Sequence, residues 1–383
     1  PSAAASADVI ITGTTASDWF GFDMAADDVN ADGRTDLVVG SAVSKVYIFY
    51  NDGSYTSAAG TADVIISGAG SGVGNRSIAI GDVNTDGKKD IVTTAFGYGP
   101  AGRAYVYYAD GTNNFGSATC TGSAPTSCTS TNADIIIDGS GTKRLDAVAI
   151  GDANTDGRDD IVLGGTNSSD GVVYVLYNDG VSFGTVSCTT ACTTDNADVT
   201  ITGETSSNMG ASLALGDVNS DGRLDIVVGA NGYLSNNGRA YVFYNDGSYP
   251  AAASSADVIL SGSGGTNTYF GYSVGTADMN LDGKIDIIVG AYGHSGGAGK
   301  VFAFYNDGVY PSLDSSADTS VSASSGSDYF GIALTKGDFN NDGKTDLVVG
   351  SYGYSGGGAT GRVYVFASEA AASSVQPATT SLK

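Results

Sequence analysis

The sequence predicts an all-β fold, and three observations carry that reading. A nine-residue loop, first met as Asp28-Val29-Asn30-Ala31-Asp32-Gly33-Arg34-Thr35-Asp36, runs into the apolar Leu37-Val38-Val39-Gly40 and returns at Asp82, Asp152, Asp217, Asp278 and Asp338. An Ala-Asp-Val-Ile-Ile-x-Gly segment returns as often, at residues 7–13, 62–68, 133–139, 197–203, 256–262 and, weakened, 317–323. The composition joins 57 Gly and 22 Tyr to two Glu, Glu204 and Glu369, so nearly all 41 acidic residues are Asp, which favours turns and metal loops over helices. No stretch reads as a helix.

Each repeat holds four short extended segments. The first leads into the loop, as in Tyr269-Phe270-Gly271-Tyr272-Ser273-Val274-Gly275, and the second leaves it, as in Ile287-Ile288-Val289-Gly290. The third, Gly299-Lys300-Val301-Phe302-Ala303-Phe304-Tyr305, alternates as a half-buried strand does and ends in the turn Asn306-Asp307-Gly308. The Ala-Asp-Val segment is the fourth. The chain opens on a fourth segment with no first three before it and closes, at Gly361-Arg362-Val363-Tyr364-Val365-Phe366, on a third with no fourth after it. The count therefore predicts a six-bladed β-propeller of four-stranded antiparallel blades, closed by the N-terminal strand completing the last blade. Residues 1–367 form this single domain, with blades at about 18–68, 72–139, 142–203, 207–262, 268–323 and 328–367. Loop-to-loop spacings of 54, 70, 65, 61 and 60 residues place insertions in the second and third units, between the third and fourth strands. Residues 1–6 and the Ala/Ser/Thr-rich tail 368–383 read as flexible by composition.

The loop reads as a calcium site. Oxygen ligands at alternate positions, with Gly where the backbone turns sharply, are what a hard cation requires. A lone match would serve equally as a turn, but a turn has no use for the Asp that always stands at position 9. The expected ligand sets, for about six Ca²⁺ in all, are Asp28, Asn30, Asp32, Arg34 and Asp36; Asp82, Asn84, Asp86, Lys88 and Asp90; Asp152, Asn154, Asp156, Arg158 and Asp160; Asp217, Asn219, Asp221, Arg223 and Asp225; Asp278, Asn280, Asp282, Lys284 and Asp286; and Asp338, Asn340, Asp342, Lys344 and Asp346. The basic residue at position 7 offers its backbone carbonyl, its side chain being expected to turn outward and offset neighbouring carboxylates.

The formal charge of −24 excludes nucleic acid as a partner, and six divalent ions would offset half of it. Cys120 with Cys128 and Cys188 with Cys192 form two local pairs in Ser/Thr-rich insertions without a nearby His. They are expected to be loop-stapling disulfides, which points to an oxidising compartment. No run of 18 apolar residues exists to span a membrane, and Pro1 at the start suggests a mature exported chain. Asn75-Arg76-Ser77 and Asn167-Ser168-Ser169 match the glycosylation sequon.

These features resemble the FG-GAP repeat proteins, the calcium-binding β-propellers typified by the integrin α-subunit head. The Phe-Gly half stands at Phe20-Gly21, Phe270-Gly271 and Phe330-Gly331. The Gly-Ala-Pro-like half stands at Gly40-Ser41-Ala42, Gly229-Ala230-Asn231, Gly290-Ala291-Tyr292 and Gly350-Ser351-Tyr352. The chain departs from integrin heads in supplying six blades instead of seven and a loop in every blade. It also replaces Phe-Gly by Val73-Gly74, Met209-Gly210 and a degenerate Lys143-Arg144-Leu145. The cup of axial aromatics that the family can use to grip a partner is thus half built.

No catalytic constellation is present. His294, the one histidine, lies in a Tyr-Gly-His-Ser-Gly-Gly loop and reads as an exposed loop residue, and the Asp residues are explained by metal. The reading is a secreted or cell-surface, non-catalytic recognition or adhesion module whose partner is an extracellular protein, a glycan or copies of itself. The alternatives are a subunit of an extracellular filament or surface layer joined through its tails, and an enzyme on a propeller scaffold. The candidate contact loops are Gly97-Tyr98-Gly99-Pro100, Gly232-Tyr233-Leu234, Tyr292-Gly293-His294 and Tyr352-Gly353-Tyr354, where Tyr either contacts a partner or covers gaps between blades.

Overall fold

The structure, a computed structural model, describes residues 23–41, 44–52, 58–68, 73–110, 115–116, 126–166, 170–185, 191–323, 327–337, 344–351 and 362–366, with Ile11, Phe20 and Gly353. The N-terminal closing strand, apart from Ile11, and the tail 368–383 lie outside these residues, as do Cys120, Cys188, Tyr352 and Tyr354. Residues 5–167 with 173–200 form one compact unit, and residues 201–383 with 168–172 form another.

Each repeat folds into one sheet whose strands pair in sequence order. In the first unit these are Met24–Asp27, Asp36–Ser41, Lys45–Phe49 and Val64–Ser67; then Val73–Gly81, Asp90–Ala95, Arg103–Tyr107 and Ile135–Asp138; then Arg144–Gly151, Asp160–Thr166, Val172–Leu176 and Val199–Thr202. In the second they are Met209–Gly216, Asp225–Ala230, Arg239–Phe243 and Val258–Ser261, followed by Phe270–Ala277, Asp286–Ala291, Lys300–Phe304 and Thr319–Ser322. The last sheet shows three strands, Phe330–Gly337, Asp346–Ser351 and Arg362–Phe366. The order follows from apolar patterning. The second strand, Asp-Ile-Val-Val-Gly-Ala in the fourth sheet, is buried along its whole length, as an uninterrupted apolar run requires. In the fifth sheet the outermost strand, Thr319–Ser322, is exposed throughout.

Two sheets carry a fifth strand beyond the expected four. Thr126–Thr129 pairs in parallel with Val64–Ser67 of the preceding sheet, and Ala191–Thr193 pairs in parallel with Ile135–Asp138. The cysteine-bearing insertions are therefore not loops alone, because each lays a fifth strand on its neighbour's edge and blunts it. Single parallel bridges, Thr202 to Ala252 and Ser261 to Leu313, repeat the device in shorter form. A 3₁₀ turn precedes each of the five described fourth strands, at Ala59–Thr61, Ser130–Asn132, Thr194–Asn196, Ala253–Ser255 and Asp314–Ser316. Four-residue helical turns stand at Tyr233–Asn236 and His294–Gly297. Leu234 and Ser235 in the first and Ser295 and Gly296 in the second are left-handed, so these are tight turns and not regular helix.

Within each unit the sheets pack through aliphatic and aromatic cores. One joins Val227, Val242 and Leu260 of the fourth sheet to Phe270, Ile287, Val289, Phe302 and Phe304 of the fifth. A second link is polar and lies five residues before four of the six nine-residue loops. There Asp23 accepts from the Ile78 amide at 2.6 Å, and Ser77 accepts from the Val148 amide at 3.2 Å. Ser212 and Ser273 donate to the carbonyls of Gly271 and Gly331 at 3.4 and 2.8 Å. Each bond ties the first strand of one sheet to the first strand of the next.

Candidate metal loops and the loop-lined end

Five of the six predicted loops are described whole, and all five have one internal geometry. In the fourth, Asp217 accepts from the amides of Asp221 and Gly222 through its two carboxylate oxygens at 3.0 and 2.9 Å. Asn219 Oδ1 accepts from that same Asp221 amide at 2.9 Å, and Asp221 Oδ1 accepts from the Arg223 amide at 2.9 Å. The oxygens of positions 1 and 3 thus converge on one point. The loops at Asp28, Asp82, Asp152 and Asp278 repeat the set. In the sixth, Asp338, Asn340 and Asp342 lie outside the described residues.

The backbone earns this convergence with two left-handed residues. Position 6 is Gly at φ 85–87° in all five, as expected, but position 4 is left-handed too, at Ala31, Thr85, Thr155, Ser220 and Leu281, with φ 61–64°. No residue type marks position 4, so the sequence carried no signal for it.

Asp at position 9 does more than face the loop. Asp36, Asp90, Asp160, Asp225 and Asp286 have no exposed surface, and in each case Oδ2 accepts from the amide of loop position 2, from Val29, Val83, Ala153, Val218 and Met279 at 2.8–3.0 Å. Oδ1 accepts from the amide two residues past the third strand, from Asn51, Ala109, Asn178, Asn245 and Asn306 at 2.7–2.9 Å. One carboxylate therefore joins the start of the loop to the end of the sheet. Burial pushes these acids up, Asp90 and Asp160 to about 7 and Asp225 to about 6. The amide bonds pull the other way, and the Asp at position 5 of the same loop adds repulsion.

The basic side chain at position 7 departs from expectation. Instead of turning outward, Arg34, Arg158, Arg223 and Lys284 donate to the carbonyls of Asn51, Asn178, Asn245 and Asn306 at 3.1–3.4 Å, closing the Asn-Asp-Gly turn over the loop. Lys88 pairs with Asp86 of its own loop at 3.5 Å, and Arg158 likewise reaches Asp156 at 2.7 Å.

This donor set fits a hard divalent cation. It is all oxygen, its carboxylates crowd and repel one another, and each bonded oxygen retains a second lone pair. Among the described residues no three His, Cys, Asp or Glu side chains group as metal ligands by themselves. The Asp residues at positions 1, 5 and 9 of a loop therefore do not gather as a group of three.

The Phe-Gly and Gly-Ala-Pro halves meet across sheets. Phe270 and Phe330 are 0% and 2% exposed, packed edge-on against Phe302 and Phe304 and against Tyr364 and Phe366. They fill the seam between sheets and cannot grip a partner, which corrects the expectation of an aromatic cup. Met209, fully buried, takes the same place in the fourth sheet, and Leu145 takes it in the third. A Cβ on Gly229 would lie 2.0 Å from the Gly271 carbonyl oxygen, and one on Gly290 would lie 2.3 Å from that of Gly331. The second half of each motif is small because the first half of the next passes over it.

The tyrosines of the candidate contact loops are anchored yet partly exposed. Arg103 lies 3.8 Å over the ring of Tyr98, and Arg239 lies 3.6 Å over that of Tyr233. Arg239 is held in turn by Glu204, which also accepts from the Tyr241 hydroxyl at 2.8 Å. Tyr292 stacks on Tyr269 at 4.7 Å and meets Tyr272 edge-on at 4.6 Å. His294 is half-buried, not exposed as expected. Its Nδ1 is 2.8 Å from the Ser295 hydroxyl and its ring abuts Phe302, and burial with the nearby Lys300 lowers its pKa. Cys128 is 1% exposed inside the first unit's core, and no cysteine among the described residues is free. No helix among the described residues is long and apolar enough to cross a membrane.

Comparison with known proteins matches the FG-GAP repeat at residues 209–243, 270–304 and 330–366, and the FG-GAP-like repeat at residues 28–93. Mouse integrin alpha-IIb is 36% identical over 164 residues, covering 39% of this chain and 15% of the integrin. Mouse integrin alpha-M is 42% identical over 89 residues, covering 22% of this chain and 8% of the integrin. Rat phosphatidylinositol-glycan-specific phospholipase D is 31% identical over 206 residues, covering 49% of this chain and 24% of that protein. The chain therefore spans at most about a quarter of the length of these relatives.

Proposed function

Because the chain belongs to the FG-GAP repeat proteins, we propose that it is a secreted or cell-surface calcium-binding β-propeller that serves as a non-catalytic recognition or adhesion module. The six repeats supply six blades, and residues 7–13 complete the last. The single observation that supports calcium is the recurrence of one convergent oxygen cage in all five loops described whole. In each loop, Asp at positions 1, 5 and 9, Asn at 3 and the carbonyl of position 7 would hold the ion. The ion would neutralise acids that otherwise repel and lock the loop to the sheet through the position-9 carboxylate. Disulfides from Cys120 to Cys128 and from Cys188 to Cys192 accord with an oxidising compartment. The partner is an extracellular protein or glycan, met by the Tyr-bearing loops on their rigid strands.

The test is calcium-dependent capture. The immobilised full chain should retain an extracellular protein or glycan in calcium and release it in chelator. Capture indifferent to calcium would sink the reading, and a phosphodiesterase activity lost on His294→Ala would replace it with an enzyme.

A further inference from the structure

Between the fourth and fifth sheets, the loops that enter the first strands and leave the second frame an open groove of about 620 Å³. Asn208, Asn231, Ser235, Asn236, Tyr269 and Tyr272 line it, and no charged side chain does, on a chain with 41 acidic residues. Its amides are held in place from behind. Asn208 Nδ2 donates to Asn231 Oδ1 at 2.8 Å, and Asn236 Nδ2 donates to Asn267 Oδ1 at 3.0 Å and to the Tyr269 hydroxyl at 3.4 Å. Asn208 and Asn236 keep their amide oxygens for other partners. The rings are fixed as well, Tyr269 by its stack on Tyr292 and Tyr272 by its edge-on contact with that same ring. Five of the lining residues, Ser206, Asn208, Ser235, Asn236 and Tyr269, are non-glycine yet left-handed, at φ 54–62°.

We propose that this groove binds a neutral carbohydrate. The proposal rests on the recognition reading above and names its ligand class. A pyranose presents hydroxyls that both donate and accept, which amides answer, and an apolar C–H face, which an aromatic ring answers. The absence of a charged lining residue disfavours sulfated, phosphorylated or uronic sugars. The absence of Leu, Ile, Val or Phe from the lining disfavours a peptide, whose anchors need an apolar pocket.

The experiment is calorimetric titration of the calcium-loaded full chain with soluble neutral oligosaccharides of glucose, mannose and N-acetylglucosamine, with a mixed-sequence decapeptide as comparator. At least one saccharide should bind saturably. Tyr272→Ala should weaken it by about tenfold or more, equivalent to about 1.4 kcal/mol. Because Tyr272 also packs, a second variant fills the groove from an exposed position: Ser235→Trp should abolish binding with an unchanged melting temperature. No saccharide binding up to about 10 mM, the range of the weakest specific complexes, overturns the proposal. Affinity untouched by Ser235→Trp, or binding of the peptide alone, overturns it as well. Calcium-dependent capture of an extracellular protein in that event leaves the recognition reading standing while this groove loses its role.

Discussion

Replacing Gly271 by Ala tests the seam where the two motif halves meet. A Cβ there would stand 2.0 Å from the Arg239 carbonyl oxygen and 3.2 Å from the Ala230 amide nitrogen, both main-chain atoms of the fourth sheet that cannot swing aside. The residue also sits at φ +79°. The left-handed conformation costs about 1–2 kcal/mol for a residue with a Cβ, and forcing one extra carbon into packed surroundings costs about 1–3 kcal/mol more. Gly265→Ala is the control, since Gly265 has φ +99° and nothing within 4 Å of its would-be Cβ. That variant should lose the backbone share alone. For a unit of roughly 180 residues, where 1 kcal/mol moves the midpoint by about 2–4 °C, Gly271→Ala should melt about 2–12 °C below Gly265→Ala. Differential scanning calorimetry in calcium would measure both. Equal melting temperatures would refute the claim that the fourth and fifth sheets approach this closely at Gly271.

Asp23 supplies a pH dependence. Burial raises its carboxyl from 3.8 to about 7, against the pull of the Ile78 and Met24 amides. The unfolded chain therefore gives up this proton first, and stability falls as pH rises from about 4 to about 7 and levels beyond. The loss is at most about 4 kcal/mol, and less for water reaching this half-buried side chain. Asp23→Ser, which places here the residue that already makes the equivalent link at Ser77, should match the parent at pH 4 and exceed it at pH 8 in urea titrations. A stability difference that does not grow between those pH values would show that Asp23 ionises freely in the fold. Reduction of the proposed bond from Cys120 to Cys128 should release the parallel strand Thr126–Thr129 at a cost of about 2–3 kcal/mol. Hydrogen exchange would report this as lost protection at the Thr126 amide, which donates to Asp63 at 2.9 Å, and unchanged protection would remove the disulfide from the account.

What was legible in the sequence is what strict spacing records. The loops at Asp28 through Asp286 are recognisable because ligand geometry tolerates no insertion, and each apolar second strand is recognisable because both its faces are buried. The parallel strands at Thr126–Thr129 and Ala191–Thr193 were not. They are Ser, Thr and Cys segments without periodicity, and their place is set by a neighbouring sheet's edge. Position 7 was legible as a charge but not as a contact, because the Asn carbonyl it caps lies 17–22 residues away. The Phe-Gly motif was legible as a family mark, whereas its use as packing at Phe270 and Phe330 depends on which sheet lies next to which. Met209 and Leu145 carry the same burial without the motif, so the fold asks for an apolar plug there and not for Phe itself.

The most direct test of the central claim is calcium binding by the full chain. Titration calorimetry after chelator treatment, with melting followed in parallel, should find about six calcium ions bound per chain. It should also find a melting temperature that rises with calcium concentration, since an ion that binds only the folded state stabilises it by mass action. Asp217→Ala should remove one ion without unfolding the chain. Absence of calcium uptake, together with melting unchanged by chelator, would contradict the account and leave the nine-residue loops as hydrogen-bonded turns.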